Sequence, residues 1–87
     1  METLDGNAIA GLLYEIFGEE MTAATAICES CGSAASVADS VVYLRLPGVV
    51  VRCRNCAGLQ MVITRVHGLN CVDLSGIAVL EPPGNTP

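Results

Sequence analysis

The stretch CESCGSAASVADSVVYLRLPGVVVRCRNCAG, residues 28–58, holds two Cys-x2-Cys pairs, Cys28/Cys31 and Cys53/Cys56, with 21 residues between them. A Cys-x2-Cys turn brings two sulfurs onto one ion while backbone N–H groups point at them. Gly32, directly after the first pair, lets the chain leave that turn at positive φ. The spacing is close to that of structural zinc sites, and four thiolates suit one Zn²⁺ with no open coordination position. A closed site of this kind holds structure and hydrolyses nothing. Two disulfides, or unpaired core cysteines, are the competing readings of the same four residues. Iron is the competing metal, since rubredoxin-type centres also use two such pairs. Those centres surround their iron with aromatic side chains, whereas this chain has one Phe, two Tyr and no Trp.

Between the pairs the pattern is β. Val37–Leu46 and Val49–Cys53 are β-branched runs, and Pro47-Gly48 suits a tight turn. That turn would set Tyr43 across from Arg52, Arg45 across from Val50 and Val41 across from Arg54. The two cysteine knuckles are then expected at the ends of this hairpin. Downstream, Leu59–Val66 and Cys71–Leu74 read as strands turned by His67-Gly68-Leu69-Asn70, and Ile77–Leu80 as an edge strand able to pair between chains. Upstream, Thr22–Ile27 suits strand or turn. Ile9, Leu12, Leu13 and Ile16 follow the spacing of one helical face, which predicts a helix over about 4–17. Asp5 is placed as its N-cap and Gly18 as the residue beyond its C-terminus.

The core is short of mass. Among 87 residues, hydrophobic side chains make up 52% and aromatic ones only 3%. A domain this small usually needs a disulfide, a metal or a partner to fold firmly. Structural zinc supplies an apparent ~10–16 kcal/mol in small peptides, enough to fill that role. The expected architecture is a small α+β zinc ribbon over residues 1–81, one N-terminal helix packed on an antiparallel sheet. A flexible Pro/Gly tail is expected over 82–87.

Charge is unevenly spread. The net charge is −5, there is no Lys, and Arg45, Arg52, Arg54 and Arg65 are the only cations apart from His67 and the chain terminus. Residues 1–39 carry seven acids and no base. Acids stand where a secretory leader needs Lys or Arg, and no long apolar run occurs, so a cytoplasmic protein without a membrane span is expected. Tyr43, Arg45, Arg52 and Arg54 form a candidate binding face for a protein partner or for nucleic acid. Arg52 and Arg54 also stand beside Cys53, where balancing the thiolate charge is the plainer role, as is pairing with the acidic helix. Cys71 reads as a small buried hydrophobe, or alternatively as a thiol that resolves an oxidised ligand. His67 reads as a surface turn residue. One His, no nucleophile elbow and no phosphate loop argue against an enzyme.

The ordered segments LDGNAIAG, FGEEMTAA, CESCG, VYLRLPGVVVRCRNC and VDLSGI resemble a family of short, uncharacterised actinobacterial zinc-ribbon proteins, over roughly Leu4 to Pro82. The resemblance implies a zinc-bound ribbon with an N-terminal helix and no assigned reaction. It also implies that Cys28, Cys31, Cys53 and Cys56 are the metal ligands. At Cys71 the family favours an aromatic residue, so no role carries over there. The function expected is a non-enzymatic interaction module built on one structural Zn²⁺. A zinc- or redox-responsive thiol switch and a rubredoxin-like electron carrier are the alternatives.

Overall fold

The computed structural model describes residues 3–45 and 48–82. The strands are β1 (Thr3–Asp5), β2 (Thr25–Cys28), β3 (Ala34–Ser36), β4 (Val41–Arg45), β5 (Gly48–Arg52), β6 (Leu59–Val66), β7 (Leu69–Asp73) and β8 (Ile77–Glu81). One helix, α1 (Ala10–Phe17), follows β1 through a 3-10 turn at Gly6–Ile9. The expected α+β class with antiparallel pairing is found, but the strands form two sheets. Five pair in the order β1-β4-β5-β6-β7, and three in the order β3-β2-β8.

The helix begins six residues later than its apolar spacing suggests. Asp5 does cap, accepting from the Asn7 N–H at 3.1 Å, but it caps the 3-10 turn. Gly6 explains the tightness there. A Cβ on Gly6 would lie 1.9 Å from the Val37 carbonyl oxygen, so this turn is pressed against the 3-10 turn at Val37–Asp39. Leu4 is thereby drawn into β1 opposite Val42. At the other end Gly18 adopts φ 75° and closes the helix by donating to the Tyr14 carbonyl.

Side chains spaced along one helical face meet the alternating residues of the large sheet. Ile9 and Leu13 are buried with Val42, Val49, Val51, Met61 and Ile63, and Met21, Ala24, Ala26 and Val37 complete the core. Leu12 and Ile16 are half-buried beside it. An ion pair among the described residues ties helix to sheet, Arg65 to Glu15 at 3.5 Å, both more than half exposed.

The β4–β5 register differs from the expected one by two residues. Val41 faces Arg52, Tyr43 faces Val50 and Arg45 faces Gly48, so Gly48 belongs to the strand. Leu46 and Pro47, where the turn was expected, lie outside the described residues. An even shift preserves which side chains share a face. Likewise β7 starts at Leu69, since His67 (φ 51°) and Gly68 (φ 79°) suffice as a two-residue turn of the kind that needs two positive φ angles. The run Val37–Leu46 is interrupted at Val37–Asp39 because the Ser40 N–H turns back to the Val37 carbonyl. Of the expected tail, residues 83–87 lie outside the described residues.

Candidate metal centre

Each knuckle connects neighbouring strands of its own sheet: Cys28–Ser33 joins β2 to β3 in the three-stranded sheet, and Cys53–Gly58 joins β5 to β6 in the five-stranded one. They are therefore not the two ends of the β4–β5 hairpin. The reason is that β2 and β3, a Thr/Ala/Ser-rich pair with little strand signal, form a separate sheet around the first knuckle.

Each knuckle closes with the same hydrogen bonds. The Cys28 N–H donates to the Ser33 carbonyl and the Gly32 N–H to the Cys28 carbonyl. Correspondingly, the Cys53 N–H donates to the Gly58 carbonyl and the Ala57 N–H to the Cys53 carbonyl. Both turns need a left-handed residue in the same place, filled by Gly32 (φ 74°) and Ala57 (φ 62°). A register step precedes each first cysteine, between Ile27 and Cys28 on β8 and between Val51 and Arg52 on β6. Such bulges re-aim side chains beside functional sites. Here they deliver Cys28 and Cys53 into the gap between the sheets.

Four sulfurs meet there, those of Cys28, Cys31, Cys53 and Cys56, all within 4.8 Å of one another. Two separations that cross between the knuckles, Cys28 to Cys56 and Cys31 to Cys53, are each 3.7 Å. A tetrahedron with metal–sulfur arms of ~2.3 Å has edges of ~3.8 Å. A disulfide requires ~2.05 Å, and all five cysteines are free. The four sulfurs are thus close enough to hold one metal ion together. In each pair the first cysteine is buried and the second exposed.

The surroundings are arranged for sulfur carrying charge. The Asn55 N–H donates to Cys53 Sγ and the Gly58 N–H to Cys56 Sγ, both at 3.3 Å. Asn55 Nδ2 reaches Cys31 Sγ at 3.5 Å, and Ser33 Oγ lies 3.1 Å from the same sulfur. The Asn55 amide, followed by Ser33, pulls the Cys31 thiol down to about 5. At Cys56 the Gly58 N–H pulls downward, but desolvation and the other three sulfurs outweigh it and push the thiol up to about 12. At Cys53 burial opposes ionisation, yet the backbone N–H groups of Cys56 and Asn55 bring the thiol below its ordinary value. Without a cation, four sulfurs this close do not all ionise. A cation removes that conflict.

The arginine face is rearranged. Tyr43, Arg45 and Arg52 do share the sheet face opposite the helix. Arg54 lies past the end of β5, inside the second knuckle, so it is not across from Val41. It lines a cavity of about 380 Å³ with Asp39, Ser40, Asn55 and Gln60. Arg52 donates to the Ala57 carbonyl at 3.0 Å, holding the second knuckle rather than a sulfur. Cys71 is exposed, because an odd-numbered β7 position points away from the helix. It pairs with Thr64, five residues along β6 from Leu59, so it stands roughly 16 Å from the start of that strand. His67 is exposed, as expected of a turn residue. Sequence reading missed Asn55 and Ser33, whose contacts depend on the two knuckles facing each other. No helix among the described residues is long and apolar enough to cross a membrane.

A family model, DUF6510, a family of unknown function, matches residues 1–85. The chain belongs to this family. Comparison with curated proteins and with solved structures gives no match.

Proposed function

We propose that this DUF6510 chain is a non-enzymatic interaction module held in shape by a single structural Zn²⁺ on Cys28, Cys31, Cys53 and Cys56. The observation that carries the reading is the pair of 3.7 Å sulfur–sulfur distances bridging two otherwise separate knuckles. When bound, the ion ties β2–β3 to β5–β6 and supplies no open coordination position. Zinc is favoured over iron by composition, because little aromatic mass is at hand to enclose a redox centre. The sheet face bearing Tyr43 and Arg45 is the surface offered to a protein partner in the cytoplasm.

The test is elemental analysis of the protein as isolated. One equivalent of zinc per chain and a colourless solution are expected. Bound iron with visible absorbance, or a folded chain without metal, overturns the zinc reading. For the binding face, Tyr43→Ala with Arg45→Glu is expected to abolish partner capture while leaving metal content unchanged. Salt-sensitive binding of generic RNA would instead make nucleic acid the partner. A thiol switch in which Cys71 resolves an oxidised ligand is disfavoured by the distance along β6.

A further inference from the structure

β7 is the last strand of the five-stranded sheet, and its outer edge carries no partner strand among the described residues. Natural edges are usually guarded by Lys, Pro or a bulge. Here Leu69-Asn70-Cys71-Val72-Asp73 contains neither residue, and its pairing with β6 runs without a register step. Leu69 is 70% exposed, the highest value among the large hydrophobic side chains described. Of the other edge strands, β1 and β3 are only three residues long, and β8 borders a register step in its pairing with β2.

The hydrogen-bond phase of β7 follows from its turn. A two-residue loop at His67-Gly68 is closed by a hydrogen-bonded pair, here Val66 with Leu69. Pairs then alternate, so Leu69, Cys71 and Asp73 spend their backbone groups on β6. The N–H and C=O groups of Asn70 and Val72 point outward. These two residues are symmetric about Cys71, the middle of the five.

We propose that the chain forms a two-fold dimer by antiparallel pairing of β7 with β7 of a second copy, in the register that sets Cys71 opposite Cys71. In that register Asn70 exchanges both backbone hydrogen bonds with Val72 of the second copy, and the reverse, so every outward group is satisfied. A symmetry axis through Cys71 makes the contact isologous and closed, which limits assembly to two copies. Charge is compatible, because Asp73 lands opposite Leu69 and no like charges face each other. The Cys71 pair occupies a non-hydrogen-bonded site, where facing Cα atoms approach to ~4.5 Å, within disulfide reach. The edge stands apart from the four-cysteine centre, so the dimer does not depend on which metal that centre holds.

The experiment uses the full chain with its metal bound. Light scattering over a concentration series is expected to approach twice the 9.0 kDa chain mass. Salt should favour the dimer, since each copy carries −5. Diamide is expected to link the copies through Cys71 alone: the two thiols lose two protons and two electrons, which reduce the diamide N=N bond to the hydrazine. Cys71→Ser should remain dimeric but lose the cross-link. Cys71→Lys, which places like charges face to face at an exposed position, should weaken association about tenfold or more while keeping its metal. A wild-type mass that stays monomeric throughout overturns the proposal. So does a dimer whose cross-link lies elsewhere, or one indifferent to Cys71→Lys.

Discussion

The two cysteine knuckles are the same turn built from different residues. Both close with the same pair of backbone hydrogen bonds, bury their first sulfur and expose their second. The left-handed position is Gly32 in one and Ala57 in the other. Between the cysteines stand Glu29 and Ser30 in the first knuckle, Arg54 and Asn55 in the second. Their anchors differ too: the Glu29 N–H donates to the Gly76 carbonyl, whereas the second knuckle is held by the Arg52 side chain. The turn is thus set by backbone hydrogen bonding and sulfur placement, and the other positions are free to tune it. The first knuckle is relaxed at its left-handed residue. The second carries strain there but contributes Asn55, which reaches across to Cys31.

The largest effect should come from separating buried from exposed sulfurs. If the four cysteines hold structural zinc as proposed, chelation is expected to abolish cooperative folding, since such a site contributes an apparent ~10–16 kcal/mol and this core is small. Cys28→Ser and Cys53→Ser should behave alike, because the buried positions admit no replacement ligand. Cys31→Ser and Cys56→Ser leave an exposed position where water completes the tetrahedron. Those two are expected to keep metal at reduced affinity. Circular dichroism together with metal content separates the two classes, and equal loss in all four would break the buried–exposed distinction.

Next in size are reciprocal changes at the left-handed residue. Gly32→Ala meets open space, so its cost is backbone alone, about 1–2 kcal/mol, or roughly tenfold in metal affinity. Ala57→Gly should relieve a similar strain, offset by ~0.5–1 kcal/mol of added freedom in the unfolded chain. A net gain of about 0.5–1 kcal/mol in denaturant unfolding is expected. If both substitutions destabilise, the knuckles are not equivalent at this position.

What could be read from sequence follows the same division. The four clustered cysteines are legible because their spacing is covalent and local. Leu59–Val66, with its run of β-branched residues, was legible to the residue. β3 was not, since Ala34-Ala35-Ser36 has no strand signal and pairs only because the first knuckle folds it back on β2. The start of α1 was misjudged because the contact of Gly6 with Val37 joins residues far apart in the chain. Cys71 was expected in the core because the alternation of β7 is too short to show which side faces the helix.

The smallest expected effect tests the one link that passes from the second knuckle to the first. Asn55→Ala removes the amide 3.5 Å from Cys31 Sγ and leaves the backbone N–H of residue 55 on Cys53 in place. The contact is exposed, so global stability should fall by only about 0.5 kcal/mol. Metal release on acidification is the more sensitive measure. Asn55 is the largest of the influences that bring the Cys31 thiol down to about 5. Its removal raises that thiol, and a more basic thiolate takes up a proton at higher pH. Protons compete with the metal for the same lone pair, so the midpoint of metal loss should move to higher pH. Ser33→Ala, which removes the second influence on Cys31, should move it in the same direction by less. A midpoint unchanged in Asn55→Ala would show that the two knuckles hold the ion independently.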